Sequence, residues 1–150
     1  MERIQKSVEV DCPIHTVYNQ WTQFEEFPRF MAGVKRVRQL DDKRLHWEAE
    51  IGGKKKEWDA RITEQIPDTR IAWESEAGEN TSGIVTFQPA GPNRTRVSLE
   101  LCYDPKGFDE STGDSIGLVS RRVENDLEYF KEFIEKRGQE TGAWRGTIRE

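Results

Sequence analysis

Apolar and polar residues alternate along most of the chain, and the spacing changes to threes and fours only near its end. In the opening segment 4–10, Ile4, Val8 and Val10 share one parity, which predicts a strand broken in pattern only by Lys6. Asp11 or Cys12 can then cap a short helix that begins at Pro13 and runs to about Trp21, since proline suits a first turn whose N–H groups have no helical partner. A second short helical piece over 24–27 is predicted to stop before Pro28, because a residue ahead of proline is pushed away from helical angles.

Six more alternating segments follow, at 34–40, 45–51, 56–66, 70–76, 83–88 and 95–104. Between them lie Asp41-Asp42, Gly52-Gly53, Pro67-Asp68, Gly78-Glu79-Asn80 and Gly91-Pro92-Asn93, which are turn sequences, so the connections are short and the sheet is an antiparallel meander. Leu45, Trp47, Ala49 and Ile51 share one face, as do Trp58, Ala60 and Ile62, Ile71 and Trp73, Val85 and Phe87, and Val97, Leu99, Leu101 and Tyr103. Their polar neighbours occupy the other, so one face is buried and one is wet.

The cover for the buried face is legible in 115–137, where Val119, Val123, Leu127, Phe130 and Ile134 keep helical spacing behind a cap at Asp114 or Ser115, and Gly138 ends the run. Such a helix is about 35 Å long and crosses the whole sheet. The fold class is α+β, a sheet of about seven strands around a long C-terminal helix, with two short helices after the first strand. One domain over 1–138 and a tail over 139–150 are expected, with Ala143-Trp144 able to dock back.

Composition sharpens this picture. Only 34% of the 150 residues are hydrophobic, but they include five Trp and seven Phe, so the core is expected to be aromatic. A net charge of −5 argues against nucleic-acid binding, and Lys54-Lys55-Lys56 reads as a solvated hairpin end. Cys12 and Cys102 lack metal spacing and are expected too far apart to bridge. No basic-then-apolar leader and no apolar run of transmembrane length is present, so neither stable membrane insertion nor export is expected, and the location is cytoplasmic by default.

The segment Val17-Tyr18-Asn19-Gln20-Trp21, followed by Phe24-Glu25-Glu26-Phe27-Pro28-Arg29-Phe30-Met31 and Val34-Lys35-Arg36-Val37, resembles the signature of polyketide cyclase/dehydrase-like proteins of the START-like (SRPBCC) superfamily. Trp73-Glu74-Ser75, Val85-Thr86-Phe87 and Thr95-Arg96-Val97 fit the same pattern, and the resemblance covers residues 1–137. It implies the helix-grip fold. Members of that superfamily include bacterial aromatic polyketide cyclases, quinone-binding proteins and lipid carriers, so the fold alone does not choose among them.

A sheet curved around one helix cannot be filled everywhere by side chains, and a hydrophobic pocket is expected to remain. Phe27, Phe30, Trp47, Trp58, Trp73, Phe87, Tyr103, Tyr129 and Phe133 are the candidate ligand-binding residues, against the simpler reading that they only pack. The segment 24–31, short and broken, is expected to be held by its rings and to gate the pocket. His15 and His46 are the only histidines, with no carboxylate at ligand spacing, so no metal is expected, and the lack of a phosphate-binding loop predicts no cofactor. Arg122 and Asp126, four residues apart, read either as a surface ion pair or as a pair near the pocket, and Glu64 has the parity of the buried face unless a bulge turns it outward. No catalytic residue is assigned. The leading reading is a carrier or sensor of a small hydrophobic ligand, lipid-like or aromatic polyketide-like. A polyketide aromatase/cyclase-dehydrase type enzyme and a protein-interaction domain with a filled core are the alternatives, and oligomeric state stays open.

Overall fold

A computed structural model describes residues 2–51, 54–76, 81–103 and 115–149. Strand β1 (Glu2–Val10) leads into helix α1 (Ile14–Trp21) and a 3-10 helix (Phe24–Arg29). Strands β2 (Val34–Gln39), β3 (Arg44–Ile51), β4 (Lys54–Ile66), β5 (Arg70–Ser75), β6 (Thr81–Gly91) and β7 (Arg94–Tyr103) follow. The long helix α2 (Ser115–Arg137) and a two-residue strand β8 (Ile148–Arg149) complete the chain. The strand order is β1-β7-β6-β5-β4-β3-β2, every pairing is antiparallel, and β8 adds to β4.

The predicted parity is the observed one. Leu45, Ala60, Ile62, Ile71, Val85 and Val97 are at most 2% exposed, and against them lies the α2 stripe of Val119, Val123, Leu127, Phe130 and Ile134, all buried. Spacing of three and four residues places that stripe on one side of the helix. Gly138 closes α2 with φ of +76° and donates its N–H to the Ile134 carbonyl at 2.8 Å, a left-handed cap that glycine adopts without a Cβ penalty. The anomalous Lys6 reaches α2 instead of the core and pairs with Glu124 at 3.6 Å. The alternatives for the cap of α2 include Asp114, which lies outside the described residues, as do the turns at Gly52-Gly53 and Gly78-Glu79-Asn80.

Three local expectations are corrected. Pro13 is the N-cap of α1 and not its first helical residue, with its carbonyl receiving the N–H groups of Thr16 and Val17 at 3.1 Å. The 3-10 helix does not stop before Pro28 but contains it. Phe24, Phe27 and Phe30 are each at most 5% exposed, and docking these rings overrides the local bias against helix ahead of proline. Glu64, third, does not share the buried face that its parity gives, but takes the outward position expected of a bulge. The β4–β5 pairing slips between Ile62 and Glu64, and this bulge turns Glu64 out to a bidentate pair with Arg70 while Gln65, 1% exposed, turns in.

The C-terminal segment is tied down by polar residues of α1. Gln20 and Thr141 exchange two hydrogen bonds, at 2.9 and 3.0 Å, and Thr22 Oγ1 accepts the Trp144 backbone N–H at 3.1 Å. Arg145 donates to Asn19 at 2.6 Å and to Asp68 at 2.9 Å. Beyond them β8 pairs with Glu64 and Gln65 of β4, past the last residue that β3 pairs, and buries Ile148. It thereby occupies backbone groups of β4 that β3 does not reach. Cys12 and Cys102 are both free thiols. Among the described residues no helix is long and apolar enough to cross a membrane.

Candidate ligand cavity

Between the sheet and α2 lies a cavity of about 190 Å³. Its sheet wall is built by Leu45, Ile62, Ile71, Val85 and Leu99, and three tryptophans, Trp47, Trp58 and Trp73, stand beside them. Trp21, Phe24, Phe27 and Met31 enclose it from the α1 side, and Val119, Val123 and Leu127 from α2. Trp73 lies against Gly83 on β6, where a Cβ would collide with the indole, so a glycine is what lets the ring lie in the wall. An engineered cavity of about 150 Å³ admits benzene, so this one has room for one ring and a short substituent or two fused rings.

The candidate residues divide. Phe27, Trp47, Trp58 and Trp73 line the cavity. Phe30 is buried behind it, its ring centroid 5.1 Å from that of Phe130 and 5.5 Å from that of Phe133. Phe87 packs edge-on against Tyr18, with centroids 5.3 Å apart. Tyr129 is 47% exposed, and with Phe133 it faces a shallow groove on the outside of α2, because it sits about 200° around the helix from Leu127. The side chain of Tyr103, the last residue of β7, lies outside the described residues. A filled core, as the interaction-domain reading supposed, is not what the structure has.

Arg122 and Asp126 are the charged residues among the described cavity walls, with Thr81 as a further polar one. They precede Val123 and Leu127 by one position each, which puts them on the flank of the apolar stripe and at the cavity, not on a surface-only face. The Arg122 guanidinium lies on Gly33, where a Cβ would collide with its Nη1. Burial pushes the Asp126 carboxyl up to about 6, with the Ala32 backbone N–H and the Arg122 charge offsetting part of that. Its Oδ1 is buried with no hydrogen-bond partner among the described residues. Glu64, by contrast, is held below the usual carboxylate range by the hydrogen bond from Arg70, so it is no raised-pKa base.

A scan of the sequence against protein-family models matches residues 10–132 to "Polyketide cyclase / dehydrase and lipid transport". The chain belongs to that family. An uncharacterized 17.2 kDa protein from the melC2-rnhH intergenic region of Streptomyces lincolnensis is 50% identical over 149 residues, 99% of each chain. A solved structure from Deinococcus radiodurans is 29% identical with a TM-score of 0.72, covering 91% of this chain and 99% of that one. The Zhui aromatase/cyclase of a Streptomyces species superposes with a TM-score of 0.76 over 95% of this chain and 99% of its own, at 16% identity, a likeness of fold. The architecture is the helix-grip fold of the START-like superfamily. Polyketide cyclase/dehydrase and lipid-transport family membership and the cavity together make this a hydrophobic ligand-binding domain.

On the opposite face of the sheet, His46 is not without carboxylates. The β3–β4 register sets Asp59 directly across from it, 2.7 Å from Nδ1, and Glu57 3.3 Å from Nε2. These partners, 13 and 11 residues away in sequence, raise its pKa, the Asp59 hydrogen bond most. His46, Glu48 and Glu57 bring their ligand atoms within 4.8 Å of one another, but Arg36 already pairs with Glu48 at 3.9 Å, and the group reads as a charge-balanced surface network.

Proposed function

We propose that this protein is a carrier or sensor that holds a small hydrophobic molecule, lipid-like or aromatic, in the cavity between its sheet and α2. The observation that carries this reading is an internal space of about 190 Å³ walled by four tryptophans, aliphatic side chains and two phenylalanines in a chain with an otherwise buried aromatic core. Native proteins do not leave such a volume empty without cost, since the lining forfeits its dispersion contacts. A ligand that buries about 200 Å² of apolar surface there gains roughly 5 kcal/mol before the entropy of binding is subtracted. Native mass spectrometry of freshly purified protein, with extraction and identification of retained molecules, tests it. A retained adduct of one- or two-ring size is expected, and apo protein that also fails to take up any apolar probe contradicts it.

A second reading, an aromatase/cyclase-dehydrase type of enzyme, draws its support in this chain first from Asp126. A cavity carboxyl whose pKa lies at about 6 can exchange a proton near neutral pH, with Arg122 beside it to polarise a carbonyl. The family description names cyclases and dehydrases, and the Zhui aromatase/cyclase shares the fold. Loss of turnover of a poly-β-ketone substrate in Asp126→Asn, with binding retained, would favour this reading over the carrier.

A further inference from the structure

Among the described residues the cavity wall is apolar except at Thr81, Arg122 and Asp126. Asp126 lines it from α2, and its Oδ1 is buried without a hydrogen-bond partner among the described residues. A buried carboxylate oxygen left unpaired costs about 1–3 kcal/mol or more, so the position is a standing penalty unless something donates to it. Arg122 on the preceding turn lies against the Gly33 backbone, and its charge offsets only part of the cost of burying Asp126. The Asp126 carboxyl therefore lies at the wall of a largely hydrophobic space of ring size, with Oδ1 covered and free to accept a bond.

We infer that Asp126 is the polar anchor of the cavity, and that the ligand is a neutral ring compound carrying a hydroxyl group of phenol type, which donates its O–H to Asp126 Oδ1 while its ring lies among the tryptophans. This rests on the proposed ligand-binding reading and narrows it. A hydroxyl entering a purely apolar cavity loses its bonds to water and gains nothing, which is why such cavities discriminate against phenols. Here one bond removes both penalties at once, the ligand's and the protein's, and a hydrogen bond to a charged group is among the strong ones. An anionic head is disfavoured, because it would bring a second carboxylate to the first. The anchor thus separates phenol-like ligands from fatty acids, which the shape of the cavity alone does not.

Three probes of matched size test this: ethylbenzene, 4-ethylphenol and 4-ethylbenzoate, titrated by calorimetry and ligand-observed NMR at pH 7.5. The wild type should bind 4-ethylphenol about tenfold or more tightly than ethylbenzene, as a bond to a charged acceptor implies, and 4-ethylbenzoate most weakly. Asp126→Leu should lose the preference for the phenol while keeping or improving ethylbenzene binding, and Asp126→Asn, which keeps an acceptor, should fall between. Equal affinity for ethylbenzene and 4-ethylphenol in the wild type, or a preference that survives in Asp126→Leu, overturns the anchor and leaves the cavity standing. Tightest binding of 4-ethylbenzoate overturns it in favour of Arg122. Failure of all three probes to bind removes the ligand-binding reading itself.

Discussion

Trp47 and Trp58 are direct cross-strand partners whose rings lie parallel within 2°, with centroids 5.9 Å apart, and both face the cavity. Phe27 leans on Trp47 at 5.6 Å, so one stack of rings links the 3-10 helix to the cavity wall. An occupant of the cavity changes the surroundings of both indoles. Titration with ethylbenzene should therefore alter tryptophan emission saturably, and Trp58→Phe should lower the amplitude of that change. An unchanged amplitude would mean that the responding tryptophan lies elsewhere.

Leu127 is 2% exposed and sits at the centre of the α2 stripe, against the cavity. Leu127→Ala should cost about 2–5 kcal/mol in denaturant melts, as other buried leucine truncations do. A loss below about 1 kcal/mol would contradict the packing of α2 on the sheet.

Phe27 touches four rings, with centroids 5.4 Å from Trp21, 5.5 Å from Phe24, 5.6 Å from Phe30 and 5.6 Å from Trp47. It is 3% exposed, so Phe27→Ala should lose about 3–5 kcal/mol of stability. If the 3-10 helix also gates the cavity, ligand on- and off-rates should rise in this variant. Stopped-flow traces with unchanged rates would make Phe27 a core residue only.

The Asp126 carboxyl has its pKa raised to about 6 in the fold, from an ordinary value of 3.8, chiefly by burial. Between those two pH values the folded protein binds more protons at this site than the unfolded chain, so the contribution of Asp126 to stability falls as pH rises from about 4 to 6 and is flat beyond. After screening by solvent the effect is roughly 1–3 kcal/mol. Asp126→Leu should flatten this part of the pH profile and be at least as stable as wild type at pH 7. A variant less stable at pH 7 than the wild type would show that the Ala32 N–H bond to the carboxylate outweighs the cost of burying its charge.

Much of the fold follows from local spacing, because a strand's period of two and a helix's three-and-four stripe are fixed by backbone geometry. Leu45, Ile71 and Val85 on the sheet and the Val119-to-Ile134 stripe are buried where parity puts them. Features set by pairing are less legible. The bulge that exchanges Glu64 for Gln65 depends on how β5 meets β4, and the carboxylates beside His46 come from the facing strand. The polar face of α1 is another case. Asn19, Gln20 and Thr22 are buried because the segment at 140–145 bonds to them, which no window of sequence around α1 contains. Among the residues that line the cavity, Trp47, Trp58 and Trp73 are readable by strand parity. Trp21, Phe24 and Met31 line the cavity only because the short helices fold over it, and Tyr129 is turned outward by a helix phase that aromatic content alone does not reveal.

The most direct test of a ligand-holding cavity is the affinity for ethylbenzene of the wild type beside a variant that fills the space, Val123→Phe on the cavity face of α2. The account predicts saturable binding to the wild type and its loss in Val123→Phe, with the variant's melting temperature kept within a few degrees because the added ring occupies volume that was empty. Binding of equal strength to both proteins, or no saturable binding to a folded wild type, would contradict it.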